Sequence, residues 1–187
     1  MAIWQFHIYF IPRQSLFDKY GHVATQLEMN KEGWEDYIEK FDLDKEPEFE
    51  DAMTIQWWWN LTLDISELLP ILQKFGELQE WTADCDGLRK FGDTDTNDIS
   101  VCFDHSTNKV QEVSCRLDLQ QIDKDFINKL LSLATRFDCL LMDSQGRLYE
   151  PTIENLLDKI ELSNANRFVK DPRQFLDDLS KGIVTPE

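Results

Sequence analysis

The run Asp93-Thr94-Asp95-Thr96-Asn97-Asp98 places oxygen donors at alternate positions, as a calcium-binding loop does. Asp93, Asp95 and Asn97 would be its first three ligands and Asp104 its last. Two features spoil the wrap. Asp98 stands where the sharp turn needs glycine, and the residues after it alternate like a strand where a helix should follow. The run therefore reads as an Asp- and Asn-rich turn whose side chains bond their own backbone, and no metal ligand is assigned. Acid–base and nucleophilic chemistry has little to build on. His7, His22 and His105 are isolated from one another and from any legible partner, and His7 reads as a hydrogen-bonded structural histidine. No G-x-S-x-G, H-E-x-x-H, G-x-x-x-x-G-K or G-x-G-x-x-G occurs, so the hydrolase, zinc-peptidase and nucleotide-binding classes readable from sequence have no support, and no cofactor is assigned. Cys85, Cys102, Cys115 and Cys139 show neither C-x-x-C nor a histidine at ligand spacing, and read as free thiols. Two carboxylates can meet in space without any sequence spacing, so a small hydrolase-type enzyme with such a site is the alternative function.

The aromatic residues offer the stronger lead. Trp4, Trp34, Trp57, Trp58, Trp59 and Trp81 can serve as core, as sugar platforms or as interface anchors. In MTIQWWWNLTLD, read as a strand, Trp57 and Trp59 share one face and Trp58 takes the other, so one indole must point away from its neighbours. Nearby, residues 28–51 hold eleven acids against three lysines, nearly half of the whole chain's acidic excess. Trp34, Tyr37, Phe41 and Phe49 punctuate that segment, which reads as an acidic flap anchored by aromatics with its carboxylates in water. An exposed indole beside it suits capture of a cationic protein. Glu46, Glu48, Glu50, Asp51 and Trp58 are accordingly the expected partner-binding residues, and neutralising the four acids is expected to leave the domain folded and slightly more stable.

Charge bounds the partners. A net charge of -17 repels nucleic acid and anionic membrane, and the 19 Lys and Arg form no basic patch that would override it. The same field would steer a basic protein inward. No apolar run approaches the ~20 residues of a membrane span. The opening MAIWQFHIYFIPRQ lacks the basic and apolar regions of a secretory leader, so a cytoplasmic location is expected.

The elements that must position these residues follow from periodicity. Residues 3–11 alternate as a strand inside the sheet, ended by Pro12, and a short helix from Ser15 to Tyr20 closes at Gly21. Ser66 is read as the cap of a helix burying Leu68, Leu69, Leu72 and Phe75. The clearest hairpin runs from Asp98 to Asp104 and from Val110 to Leu119, with Ile99, Val101, Phe103, Val113, Cys115 and Leu117 inward and Ser100, Cys102, Glu112, Ser114 and Arg116 on the opposite face. Asp123 caps a helix carrying Phe126, Ile127, Leu130 and Ala134. A strand over Asp138–Asp143 turns at SQGR, Thr152 starts a helix with Ile153, Leu156, Leu157 and Ile160 inward, and Asp171-Pro172 opens a last helix. Strands and helices do not alternate regularly. The fold expected is α+β, an antiparallel or mixed sheet with helices packed against it, in one domain over 1–187 with the acidic segment at 28–51.

The stretch DCLLMDSQGRLYEP with IELSNANRFVKDPRQFL, together with IWQFHIYFIPR and the hairpin, resembles a loose group of uncharacterised small bacterial proteins. In size and charge the chain is similar to immunity partners of bacterial toxins. The resemblance favours a non-enzymatic protein-binding module without naming a target and carries no catalytic residue to any position here, and the clustered charge beside aromatics points to a basic partner.

Overall fold

A computed structural model describes residues 3–40 and 47–185. In chain order the elements are β1 (Gln5–Pro12), α1 (Arg13–Tyr20), α2 (Lys31–Lys40), α3 (Ile65–Leu72), α4 (Glu80–Ala83), β2 (Leu88–Gly92), β3 (Asp98–Phe103) and β4 (Val110–Asp118), then α5 (Lys124–Arg136), β5 (Cys139–Met142), β6 (Leu148–Tyr149), α6 (Ile153–Glu161), α7 (Asn164–Lys170) and α8 (Pro172–Ser180). The six strands form one sheet in the order β2-β3-β4-β1-β5-β6, and every pairing is antiparallel. The fold is α+β, as the residue pattern indicates.

Alternation places β1 in the middle of that sheet. Phe6, Ile8 and Phe10 are buried on one side, and Pro12, which has no N–H to give a ladder, is its last residue. Arg13 then opens α1, and Gly21 closes it in the left-handed conformation with its N–H on the Phe17 carbonyl. Register fixes what each face carries. Ile8 pairs with Cys115, Cys115 with Ile99 and Ile99 with Phe91, so one apolar row crosses four strands. The adjacent rows, His7–Arg116–Asp98 and Tyr9–Ser114–Ser100–Lys90, fall on the opposite face by the same alternation. Phe75 and Phe126 meet edge to face at 5.1 Å, tying the turn after α3 to α5.

Both edges of the sheet are closed. Along β2, Gly92 N–H reaches Glu77 O (3.0 Å) and Gln79 N–H reaches Lys90 O (2.8 Å). Gly76 makes this approach possible, since a Cβ there would sit 2.7 Å from Gly92 Cα. Along β6, Leu148 N–H reaches Thr25 O (3.0 Å) and Leu27 N–H reaches Gly146 O (2.9 Å) in the turn before the strand. Covered edges leave little backbone for a foreign strand to pair with. No helix among the described residues is long and apolar enough to cross a membrane.

Three expectations are corrected. The tryptophan run is not a strand: it passes through turns into a single 3-10 turn at Trp59–Leu61. Strand geometry would send Trp57 and Trp58 to opposite faces, whereas the turn lets both enter the core with their N–H groups satisfied. Trp57 Nε1 donates to Ala52 O (2.9 Å) and Trp58 Nε1 to Phe10 O (2.8 Å). Trp58 is only 1% exposed, and Trp59 is the one that turns outward, beneath Lys109. Replacing Trp58 with phenylalanine, which deletes that buried N–H bond and leaves a void, is expected to lower stability by about 1–2 kcal/mol in urea denaturation. An unchanged midpoint would contradict its core role.

The second correction is the start of α3. Asp64, not Ser66, is the cap: it accepts the Ser66 N–H (2.8 Å) while Glu67 reaches back to the Asp64 N–H (3.4 Å). This reciprocal box satisfies two end donors and leaves Pro70 inside the helix. The third is α6, where Leu156 and Ile160 bury but Ile153 and Leu157 stay exposed.

Candidate functional site

The acidic segment contains a helix that its polarity concealed. Asn30 Oδ1 accepts the Gly33 N–H (2.9 Å), and α2 follows. Glu32, Glu35, Asp36 and Glu39 recur at the i, i+3, i+4, i+7 spacing and are all exposed, so the helix presents one continuous acidic stripe. Trp34 and Tyr37 lie half-buried, and the Trp34 ring meets Phe49 edge-on at 5.2 Å and Tyr37 at 5.8 Å. The Trp34 Nε1 donates to Asp51 Oδ2 at 2.7 Å. Asp51 also accepts the backbone N–H groups of Asn30 (3.1 Å), Met53 (2.9 Å) and Thr54 (3.1 Å).

The residues expected to bind a partner therefore divide. Glu48 and Glu50 are exposed, and Glu50 pairs with Lys19 Nζ at 2.7 Å. Glu46 lies outside the described residues. Asp51, expected at the surface, is instead only 3% exposed, because four N–H donors converge on it from two stretches of chain. Trp58 is buried as described above. The indoles that do reach solvent among the described residues are Trp59, 38% exposed beneath Lys109, and Trp81 on α4, the more exposed at 58%, which sequence reasoning left unassigned.

The polar face of the sheet carries a second cluster. Arg116 Nε lies 2.9 Å from Asp98 Oδ2, its Nη2 binds the same oxygen, and Lys90 Nζ stands 3.7 Å from Asp98 Oδ1. Asp98 is 1% exposed, so this is a buried carboxylate held by two cations. Burial pushes Glu112 and Tyr9 up and Lys90 down, and pushes the Cys102 thiol up to about 12. Gln5 donates its amide to the Thr94 and Thr96 carbonyls (3.0 and 2.7 Å), while its Oε1 has no partner among the described residues. His7 Nε2 likewise has none, which corrects the expectation of a fully hydrogen-bonded histidine: its cross-strand neighbour Arg116 is committed to Asp98.

Burial first, then the charges of Arg116 and Lys90, lower the His7 pKa to about 4. The unfolded chain, at about 6.5, takes up this proton first as the pH falls. The stability that neutral His7 contributes is thus present above about pH 6.5 and lost between about 6.5 and 4. With allowance for partial exposure, His7→Asn is expected to remove about 1–2 kcal/mol of that pH dependence, read as the difference between parent and variant melts across the window. Parallel profiles would contradict the assignment.

What this face can do chemically is limited by spacing. Asp98 and Cys102 lie four residues apart on β3, and Glu112 is paired across from Cys102, so Asp98 and Glu112 sit about 14 Å apart along the strands. Paired carboxylates that share a glycosidic substrate stand within about 5–10 Å. A cavity of about 240 Å³ lies between Trp34, Met53 and Ile55 on one side and Cys102, Gln111 and Glu112 on the other, where the acidic segment approaches the sheet.

The calcium-like residues are spent on turns. Asp93 Oδ1 accepts the Asp95 N–H (2.9 Å) and Asn97 Oδ1 the Asp118 N–H (2.9 Å). Asp104, beyond the far end of β3, accepts from Ser106 and Thr107, which hold its carboxyl down to about 2. No three His, Cys, Asp or Glu side chains are grouped to hold a metal ion among the described residues, and the four cysteines are unpaired. Comparison with protein-family models, curated proteins and solved structures finds no match. Function must therefore be argued from the surfaces themselves.

Proposed function

We propose that the chain is a non-enzymatic protein-binding module, immunity-like in role and cytoplasmic in location, that engages a basic partner protein through the acidic stripe of α2 and the neighbouring Glu48. The observation that supports this reading is the stripe itself. Glu35 and Glu39 are like-charged at i,i+4 spacing, an arrangement that weakens an isolated helix by a few tenths of a kcal/mol. Glu39 also lies in the last turn, where the helix dipole disfavours an anion. The Glu35–Glu39 repulsion costs local stability, and a cationic partner would relieve it. Trp34 and Asp51 hold the helix in place beforehand, so little ordering remains to be done on binding.

The test is capture from the native cell extract by the parent chain and by the variant Glu32→Gln/Glu35→Gln/Glu39→Gln/Glu48→Gln. The parent is expected to retain a basic protein that the variant releases. Equal retention by both, or no retained protein, would overturn the proposal.

A further inference from the structure

The exposed indole on the β2 edge has its own charged surroundings. Trp81 Nε1 donates to Gln79 Oε1 (2.8 Å), the same oxygen accepts the Thr94 hydroxyl (2.6 Å), and the Gln79 amide donates to Gly92 O (3.0 Å). The ring is thereby pinned while more than half of it faces water, and a pinned aromatic loses little freedom when a partner docks on it. Two stretches of chain that meet at Gln79, beside Trp81, carry carboxylates. Glu77, Glu80 and Asp84 come from the segment that closes the sheet edge, and Asp93 and Asp95 from the β2–β3 turn, which the Thr94–Gln79 bond holds against that segment. All five are exposed, and among the described residues none forms an ion pair.

The local cations are occupied. Lys90 Nζ lies over the Trp81 ring at 6.0 Å but is shared with Asp98, and Arg89 donates to the carbonyls of Thr82, Cys85 and Leu88. What is left is an exposed indole that Lys90 approaches at 6.0 Å and five exposed carboxylates that outnumber the two cations.

We infer that this surface seats an arginine side chain of a basic protein, with the guanidinium stacked on Trp81 and its N–H groups directed to the carboxylates of Glu80, Asp93 and Asp95. The inference rests on the proposed binding function and names a contact for it separate from α2. Arginine fits better than lysine because its planar group can stack and donate hydrogen bonds at once, whereas an ammonium presents a strongly hydrated point charge. A sugar would use the same indole without needing the carboxylates.

The six indole N–H resonances of ¹⁵N-labelled protein separate these cases, with Trp81 assigned from its loss in Trp81→Phe. Titration with a Gly-Arg-Gly-Arg-Gly peptide is expected to shift the Trp81 signal saturably. Glu80→Gln/Asp93→Asn/Asp95→Asn should weaken that response at least fivefold with the other indole signals unmoved, and the citrulline peptide and cellotriose should give no saturable shift. No response to the arginine peptide, an equal response to citrulline, or a response to cellotriose alone would overturn the inference. The α2-neutralised variant should titrate as the parent does at Trp81, so failure here is distinguishable from failure of the α2 reading, which the capture experiment reports.

Discussion

Replacing Asp98 with alanine is expected to destabilise the protein by about 3–5 kcal/mol, the largest effect of any single substitution considered. The reason is what would remain behind. Asp98 is almost wholly buried between Arg116 and Lys90, whose side chains are each only 14% exposed. Deleting the carboxylate leaves two cations facing one another across the sheet with no counter-charge, in a place where water screens them poorly. Removing both members of the principal pair should be milder. Asp98→Ala/Arg116→Met is expected to lose less than the sum of the two single changes, because the double variant leaves only Lys90 without a counter-charge and removes the repulsion between the two cations. Urea denaturation of the parent, the two single variants and the double variant measures this directly. Strict additivity, or a loss under about 1 kcal/mol for Asp98→Ala, would mean that the triad does not hold the polar face together.

The second large effect is expected at Asp51, at about 2–4 kcal/mol for Asp51→Ala. Its two oxygens receive four N–H groups, from Asn30, Trp34, Met53 and Thr54, and each donor left unpaired in the interior costs about 1 kcal/mol or more. Asparagine does not rescue it, since an amide would turn an N–H₂ toward donors that need an acceptor. The loss should be local as well as global. Backbone amides of α2 should exchange faster in Asp51→Ala, because the Trp34 anchor to the body is cut. Glu48→Gln and Glu50→Gln, by contrast, should each stay within about 0.5 kcal/mol of the parent. Neutralising the whole acidic group is thus not the uniformly mild change that its charge alone implies. A neutral Asp51→Ala, or unchanged α2 exchange, would show that the segment is held by its aromatic contacts alone.

How much of this was legible depended on whether the signal was local. The alternation of Phe6, Ile8 and Phe10 placed β1 inside the sheet, and the opposed patterns of Ile99–Phe103 and Val113–Leu117 gave the hairpin with its polar reverse face. Asp123, Thr152 and Asp171 announced their helices because each cap acts within three residues of itself. The misreadings needed long-range information. Three adjacent indoles look the same in a strand and in a turn, and only the carbonyls of Ala52 and Phe10 decide where Trp57 and Trp58 go. Asp51 belongs by composition to a solvated acidic run, and its burial depends on donors up to 21 residues away. The triad at Asp98 required β2, a short strand whose apolar pattern is weak, to bring in Lys90. Trp81 was passed over because nothing in a four-residue helix distinguishes an indole that packs from one that projects.

The central claim, that the α2 stripe is a binding surface for a basic protein, is tested most directly by the salt dependence of association with the captured partner. Calorimetric affinities for the parent and for Glu32→Gln/Glu35→Gln/Glu39→Gln/Glu48→Gln should be compared from about 0.05 to 0.5 M salt, a range over which the screening length shortens from about 14 Å to about 4 Å. The account predicts tight binding by the parent that weakens steeply with salt, and a variant that binds at least tenfold more weakly at the lowest salt with a shallower slope. Equal affinities and equal slopes for the two proteins would contradict it.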